Sequence, residues 1–343
     1  MFYIGKEIIA KVKSVLDQNS RFVILTHTNP DGDALGSILA LYFFLKALGK
    51  EATPITPTPY AGFLKWLPGH SRVLKYHYHK EKIQSAIEQA EVICILDLND
   101  PGRLGELWPL VEMNTGASRI LIDHHPDPEH FCPIEISDIR PSSTAELLFD
   151  LMRQLYPEPL MNQDLATCIY VGMMTDTGCF SFNSSRPQTF QTVAKLLESG
   201  IDKDQIFNMI YNNFSESRMK LMGYALDQKM KVLASYRTAY ISLTAKEMER
   251  YAFKIGDSEG FVNMPLNISG IHFAALFLEK DKHIKISFRS KGYFSVNEFS
   301  ARHFNGGGHL NAAGGEWHGT LDEAVSYFES LLPGYNNELN PDD

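Results

Sequence analysis

The sequence predicts an α/β protein built on an open parallel sheet, and three apolar segments carry that prediction. They are Phe22 to Leu25, Val92 to Leu96 and Ile120 to Ile122. Each is a continuous apolar run without alternation, which is typical of strands buried on both faces of a parallel sheet. Helical patterns over 34–48 and 80–89 separate these runs. Because strand and helix alternate, we expect helices on both faces of the sheet.

The second half of the chain has a different pattern. Helical periodicity covers 190–197 and 206–226, and shorter alternating segments follow it. Alternation of apolar and polar residues favours antiparallel hairpins, here in a second, smaller α/β domain. The strand-like segments are 232–243, 271–278 and 284–288.

This change of pattern predicts the domain organisation. We expect a catalytic domain over 1–192, a helical linker over 193–228 and a substrate-binding domain over 229–343. The active-site cleft is expected between the two domains. The tail after Pro333 is polar and is expected to fray.

Length and charge limit the classes of function. A chain of 343 residues suits two domains, and 41 acidic against 32 basic residues leave a net charge of −9. Proteins that bind long duplex nucleic acid usually carry a basic excess, so we expect a small anionic ligand instead. There is no apolar run long enough to span a membrane and no signal-peptide pattern, so we expect a cytoplasmic protein without a membrane partner. A homodimer is compatible with these features.

Histidine and aspartate residues follow each of the three predicted strands. They are His27, Asp31 and Asp33 after the first strand, Asp97 after the second, and Asp123, His124 and His125 after the third. Open α/β sheets bind ligands outside the carboxyl ends of their strands, so these side chains are expected at one edge. Carboxylate and imidazole together suit Mn²⁺, Fe²⁺ or Zn²⁺ better than Mg²⁺ or Ca²⁺.

Some of these residues have a simpler interpretation. Asp31 or Asp33 could cap the helix that begins near Ala34, although a cap does not need the nearby histidine. Asp97 could be a turn residue. A further candidate ligand, Asp176 before Thr177-Gly178, could belong to a helix-terminating turn around the glycine. For Asp123 to His125 the metal hypothesis is favoured, because the cluster would otherwise bury several unpaired polar groups.

Two segments of the second domain are candidate phosphate contacts. Gly306-Gly307-Gly308-His309 presents backbone N–H groups that can surround a phosphate, unless it is simply a flexible surface loop. Arg289 ends a predicted strand and can make a bidentate phosphate contact or an exposed salt bridge.

Taken together, these motifs resemble the DHH-family phosphoesterases. The first motif is His27 to Asp33 followed by Gly36-Ser37, and the second is Asp97 with Arg103-Leu104-Gly105. The third is Asp123-His124-His125, and the fourth is Asp176-Thr177-Gly178. Arg289-Ser290 and Gly306 to His309 with Ala312-Ala313-Gly314 resemble the DHHA1 domain that follows in one branch. The resemblance spans nearly the whole chain. The compact arrangement of a DHH domain followed by a DHHA1 domain is similar to that of the bacterial NrnA group.

The resemblance implies two divalent metal ions, with Mn²⁺ as the expected metal. The implied ligands are His27, Asp31, Asp33, Asp97, His124 and Asp176. Asp97 would bridge the two ions, with His27 and Asp31 completing one site and the other three ligands completing the second. Asp123 would orient the site, and His125 would contact the scissile phosphate.

The implied substrate contacts lie mostly in the second domain. They are Arg103, Arg289, Ser290, Gly306, Gly307, Gly308 and His309. The resemblance implies hydrolysis of short oligoribonucleotides, linear dinucleotides and 3′-phosphoadenosine 5′-phosphate (pAp) by a hydroxide that the two metals activate. A cyclic-dinucleotide phosphodiesterase, a pyrophosphatase- or exopolyphosphatase-like hydrolase and a non-catalytic nucleotide-binding regulator remain alternatives.

Overall fold

A computed structural model describes residues 4–156 and 161–340. These residues form two compact units that divide between Asn213 and Phe214. Each unit contains its own sheet and is described separately below.

The sheet of the first unit has six strands among the described residues, in the order β3-β2-β1-β4-β5-β6. The strands are β1 (Arg21–Leu25), β2 (Glu51–Thr56), β3 (Leu74–Lys75), β4 (Val92–Leu96), β5 (Ser118–Asp123) and β6 (Ile134–Ser137). Every neighbouring pair is parallel. Because the strands are parallel, their carboxyl ends lie along one edge.

Both faces of this sheet are buried, as the unalternated strands predict. Phe22 and Ile24 of β1 belong to one apolar core, while Val23 and Leu25 belong to another on the opposite face. Successive side chains of a strand point to opposite faces, so both sets must be apolar. The predicted α/β class with a parallel first sheet is confirmed.

Helices cover the two faces of this sheet. In chain order they are α1 (Lys6–Gln18), α2 (Gly32–Ala47), α3 (Lys80–Glu88), α4 (Trp108–Met113), α5 (Thr144–Leu155), α6 (Gln163–Asp176), α7 (Pro187–Glu198) and α8 (Lys203–Tyr211). Helices α2, α5 and α6 pack into one core, whereas α3 and α4 pack into the other. Side-chain caps at Asp31, Ser143 and Asn162 set the beginnings of α2, α5 and α6.

The second unit contains a mixed sheet in the order β11-β12-β10-β9-β8-β7. Its elements are α9 (Glu216–Tyr224), β7 (Met230–Leu233), β8 (Thr238–Leu243), α10 (Ala245–Arg250), β9 (Phe273–Glu279), β10 (Ile284–Ser290), α11 (Val296–His303), β11 (Gly307–His309), β12 (Ala312–Trp317), α12 (Leu321–Leu331) and α13 (Asn336–Leu339). The pair β8 and β9 is parallel and the other pairs are antiparallel. The predicted smaller α/β domain with hairpins is therefore confirmed.

Two local expectations are wrong, and one alternative interpretation is excluded. The helical pattern over 206–226 is two helices, because Ser215 caps a new helix by accepting a hydrogen bond from the Arg218 N–H. The tail is packed against the protein up to Asn340, because Leu339 is buried in an apolar core of the second unit. The segment Gly307–His309 is a strand paired with β12, not a loop.

No helix in 4–156 or 161–340 is both long and apolar enough to cross a membrane.

Candidate metal centre

The carboxyl ends of β1, β4 and β5 bring the predicted site residues together. These three strands are neighbours in the sheet, so the residues after them share one edge. His27 follows β1, Asp97 follows β4, and Asp123 ends β5. Asp97 has a positive φ of 65°, which is uncommon for a residue with a side chain. Such backbone strain persists where the surrounding structure requires it and is frequent at functional sites.

One group of potential ligands consists of His27, Asp31 and Asp97, whose ligand atoms lie within 4.8 Å of one another. His27 Nε2 is 3.4 Å from Asp97 Oδ2. His27 Nδ1 is 2.7 Å from the carbonyl oxygen of Thr28, which can only accept a hydrogen bond. Nδ1 therefore carries the proton, and the Nε2 lone pair of the neutral ring is available for a metal.

A second group consists of Asp33, His124 and Asp176, again within 4.8 Å. His124 Nε2 lies 3.5 Å from Asp176 Oδ2 and 3.8 Å from Asp33 Oδ2. It also lies 3.8 Å from Asp97 Oδ1. The two oxygens of Asp97 thus approach the two groups separately, which is the geometry that a bridging carboxylate needs.

Asp123 and His125 form a pair beside these groups. Asp123 is fully buried, and its Oδ1 is 2.7 Å from His125 Nδ1. Its Oδ2 also accepts a hydrogen bond of 3.2 Å from the backbone N–H of His125. Two contacts to one carboxylate fix the orientation of the imidazole ring and place a proton on Nδ1.

The carboxylates of the cluster influence one another strongly. Burial, followed by the negative charges of Asp97 and Asp176, raises the pKa of Asp33 well above its usual value. Burial also acts to raise the pKa of Asp97, but the hydrogen bond with His27 and the nearby imidazoles outweigh it and hold that pKa well below normal. Several buried carboxylates this close repel one another unless cations neutralise them.

The pKa values of two histidines are raised by the nearby carboxylates. Burial alone would lower the pKa of His27, but its hydrogen bond to Asp97 and the charge of Asp31 raise it. The pKa of His124 is likewise raised, against the effect of burial, by Asp176 and Asp97. The site therefore attracts positive charge, and its carboxylate and imidazole donors suit divalent transition metals such as Mn²⁺.

Close helix packing places Asp33 and Asp176 at this edge. A side chain at Gly172 of α6 would collide with Ala145 and with the Asp33 carboxylate, and one at Gly32 would collide with Thr175. Gly32 lies within α2, and the approach of Thr175 is what excludes a side chain there.

The capping interpretation of Asp31 is confirmed alongside its place in the first group. Asp31 Oδ1 accepts hydrogen bonds of 3.0 Å from the N–H groups of Asp33 and Ala34. Asp33 itself lies inside the first turn of α2 and does not cap it. One oxygen of Asp31 is therefore committed to the helix, and the carboxylate is held in one orientation.

Arg103 lies close to the site. Its carbonyl oxygen accepts a hydrogen bond of 2.8 Å from the Thr28 N–H, and its positive charge acts to lower the pKa of His27. Its neighbour Gly105 has a positive φ of 56° and lies against Thr28. The second motif thus contacts the first through one backbone hydrogen bond and through the side chain of Thr28.

The predicted substrate residues of the second unit lie on β10 and β11, with Gly306 directly before β11. Arg289 Nη1 donates a hydrogen bond of 2.9 Å to the Phe288 carbonyl. The Ser290 hydroxyl donates to the Phe294 carbonyl and accepts from Asn311. A side chain at Gly306 would collide with the Gly314 carbonyl, so close packing is one reason for glycine there.

Thr144 is a residue of the site that the sequence did not single out. Its hydroxyl donates a hydrogen bond of 2.9 Å to Asp97 Oδ1, and its N–H donates one of 2.8 Å to Asp33 Oδ2. The available signal was Ser143, three residues before Glu146, which resembles a helix-capping pattern and does not indicate a metal site.

Comparison with known proteins identifies the domains to which the two parts of the chain belong. Residues 21–173 match the N-terminal domain of the DHH family, and residues 241–333 match the DHHA1 domain. A bifunctional oligoribonuclease and PAP phosphatase NrnA from Thermus thermophilus is 30% identical over 92% of this chain and 89% of its own length. The NrnA of Bacillus subtilis is 26% identical over 85% of this chain and 88% of its own length.

Solved structures are also similar. The crystal structure of an exopolyphosphatase-related protein from Bacteroides fragilis has a TM-score of 0.94 and 43% identity, covering 99% of both chains. RecJ from Thermus thermophilus in complex with Mn²⁺ has a TM-score of 0.57 and 17% identity, covering 97% of this chain and 54% of RecJ. At that identity the RecJ comparison shows the fold alone.

The fold, the site and the matched domains define a phosphoric ester hydrolase, as the sequence predicted. The chain belongs to the DHH family of phosphoesterases and carries a DHHA1 domain.

Proposed function

We propose that this protein hydrolyses short oligoribonucleotides, linear dinucleotides and pAp with the help of two divalent metal ions, most suitably Mn²⁺. The observation that carries the proposal is the pair of neighbouring ligand groups, with one oxygen of Asp97 near His27 of the first group and the other near His124 of the second. Relatives of similar length support the substrate class, because they bear the name oligoribonuclease and PAP phosphatase.

We propose that His27, Asp31 and Asp97 hold one ion and that Asp33, Asp97, His124 and Asp176 hold the other. When bound, divalent ions neutralise charge on a phosphate ester and lower the pKa of coordinated water. The protein contributes the orientation of the ligands, since Asp31 is held by its helix and His27 by the Thr28 carbonyl.

His125 is the proposed contact to the scissile phosphate. Its Nδ1–H donates to Asp123, so a protonated ring presents Nε2–H as its second donor. A donor aimed at a phosphate oxygen stabilises the charge that develops there during in-line displacement. Asp123, fully buried, then acts through His125 and not on the substrate.

Further substrate contacts are proposed for Arg103 in the first unit and for Arg289, Ser290 and Gly306 to His309 in the second. Arginine binds phosphate through two parallel hydrogen bonds, and exposed backbone N–H groups add further donors. A terminal phosphate held in this way would favour short substrates.

A second candidate function is hydrolysis of inorganic phosphate chains. It is favoured by the 43% identity to a protein described as exopolyphosphatase-related. The two functions differ in whether a nucleoside contributes to binding, because polyphosphate offers only charge.

A substrate panel separates these candidates. Purified protein with Mn²⁺ would be assayed on a 5′-phosphorylated dinucleotide, longer RNA, pAp, a cyclic dinucleotide, pyrophosphate and polyphosphate. We expect the highest kcat/KM on the dinucleotide or pAp and loss of turnover on chelation. Preference for polyphosphate would favour the second candidate, and no turnover of any substrate would favour a nucleotide-binding regulator. The His125→Ala variant, purified identically, controls for contaminating nucleases.

A further inference from the structure

The segment that begins α5 contacts two of the proposed metal ligands. Thr144 donates its hydroxyl to Asp97 Oδ1 at 2.9 Å and its N–H to Asp33 Oδ2 at 2.8 Å. Ala145 donates its N–H to Asp33 Oδ1 at 3.0 Å. All four residues are buried, so water does not compete for these hydrogen bonds.

The start of a helix explains why these donors are available. The first N–H groups of a helix have no partner within it, and the helix dipole places partial positive charge there. Ser143 caps α5 by accepting a hydrogen bond of 3.1 Å from the Glu146 N–H. The N–H groups of Thr144 and Ala145 are left for a group outside the helix, and the Asp33 carboxylate accepts both.

The same segment is anchored on its other side. Glu146 Oε2 accepts hydrogen bonds from the Ser142 N–H at 2.7 Å and from the Thr189 hydroxyl on α7 at 3.2 Å. Glu146 and Thr189 are completely buried. The donors that face the site are therefore carried by a segment that is fixed to α7, which helps to hold a carboxylate in one orientation.

We propose that Thr144 is a positioning residue of the metal centre, in that its hydroxyl orients the carboxylate shared by the two ligand groups. The hydroxyl occupies one lone pair of Asp97 Oδ1, while Oδ2 faces His27. Rotation of the Asp97 carboxylate would break this bond, so the orientation that serves both ions is retained when they are absent. Hydrogen-bonding partners of metal ligands tune affinity in this way.

The proposal rests on the proposed metal-dependent function, and metal binding tests it directly. Thr144→Val removes the hydroxyl and keeps the shape, whereas Thr144→Ser keeps the hydroxyl. Isothermal titration of Mn²⁺ into metal-free protein should show affinity weakened about 10–100-fold in Thr144→Val and close to wild type in Thr144→Ser. The Mn²⁺-induced rise in Tm should shrink in parallel.

Thr238→Val is the matched control. Thr238 is fully buried in the second unit and donates its hydroxyl to the Tyr236 carbonyl at 2.7 Å, so the chemical change is the same without a contact to the ligands. We expect lower stability and unchanged Mn²⁺ affinity. If Thr144→Val does not fold, Thr144→Ala is titrated in its place.

Several results would overturn the proposal. Wild-type affinity in Thr144→Val, or equal losses in Thr144→Val and Thr144→Ser, would show that the hydroxyl does not position Asp97. A wild-type protein that binds no divalent ion would remove the metal centre and this role with it. Wild-type binding without turnover of any substrate would instead overturn the proposed hydrolysis and leave the role of Thr144 supported by the titration.

Discussion

The two units of this chain bury different kinds of side chain. At the edge of the first sheet Asp33, Asp97 and Asp123 are buried with His124, and their charges repel or attract over short distances. The core of the second unit is dominated by phenylalanine, and Arg218 is the buried charged residue among its described positions. Burying charge costs stability, whereas aromatic packing supplies it. The first unit therefore gives up stability at the site where chemistry is expected.

The prediction with the largest expected effect compares a substitution in the first unit with one in the second. Asp97→Ala should lower kcat/KM by about 10²–10³-fold or more, because both proposed metal sites lose a ligand. Arg289→Ala should chiefly raise KM, by about tenfold, because it removes a charged hydrogen bond to substrate. Steady-state kinetics on pAp and a dinucleotide measure both. Near wild-type kcat in Asp97→Ala would contradict the shared-ligand assignment.

The next prediction concerns packing in the second unit. Phe288 is completely buried among other phenylalanines, so Phe288→Ala should destabilise the protein by about 3–5 kcal/mol. Chemical denaturation measures the loss. Tyr293 is 97% exposed, and Tyr293→Ala should change stability by less than about 0.5 kcal/mol. Equal effects of the two substitutions would mean that the aromatic core does not stabilise this unit.

A third prediction tests how much stability the protein loses by burying carboxylates at the site. In the metal-free protein, burial and the charges of Asp31 and Asp97, opposed by His124, raise the pKa of Asp176 to about 6. A raised carboxyl pKa favours folding while the group is protonated, and this contribution is lost as pH rises from about 4 through 6. Asp176→Asn should therefore stabilise the metal-free protein at pH 8 by ~2 kcal/mol relative to its effect at pH 4.

Thermal unfolding with a chelator present, repeated from pH 4 to pH 8, measures this difference. Asp281→Asn, at an exposed position of the second unit, is the control and should leave the pH profile unchanged. Equal stability of Asp176→Asn and wild type at every pH would mean that the cluster carries no electrostatic cost.

The smallest expected effect lies in the second unit. Burial would raise the pKa of Glu247, but Lys229, Tyr224 and Thr244 outweigh it and lower that pKa to about 2. The stabilisation is present above the unfolded pKa, near 4.3, and is lost as pH falls towards 2. Glu247→Gln should cost about 1 kcal/mol at pH 7 and progressively less in acid.

Acid unfolding followed by circular dichroism measures the effect of Glu247→Gln. Glu323 makes the same capping box with Thr320 but is exposed, and among the described residues no lysine pairs with it as Lys229 pairs with Glu247. Glu323→Gln should therefore have a smaller effect. A larger loss in Glu323→Gln would show that the cap alone, and not the added partners, stabilises these helices.

Much of the fold and the candidate site followed from local sequence patterns. The unalternated runs at β1, β4 and β5 predicted a sheet buried on both faces, because apolar side chains in successive positions must be covered on both sides. The histidines and aspartates after those runs predicted one edge, since parallel strands end together. These inferences need only periodicity and the geometry of a parallel sheet.

Tertiary structure decided what depends on contacts between distant positions. Thr144 lies 47 residues from Asp97 and 111 from Asp33, and no local pattern reports hydrogen bonds over such separations. Gly172 is required by the approach of Asp33 and Ala145 from two other helices. The sequence by itself therefore determined which residues reach the edge of the sheet. Only the packing of α2, α5 and α6 decided how they are oriented there, because orientation depends on partners that local periodicity does not encode.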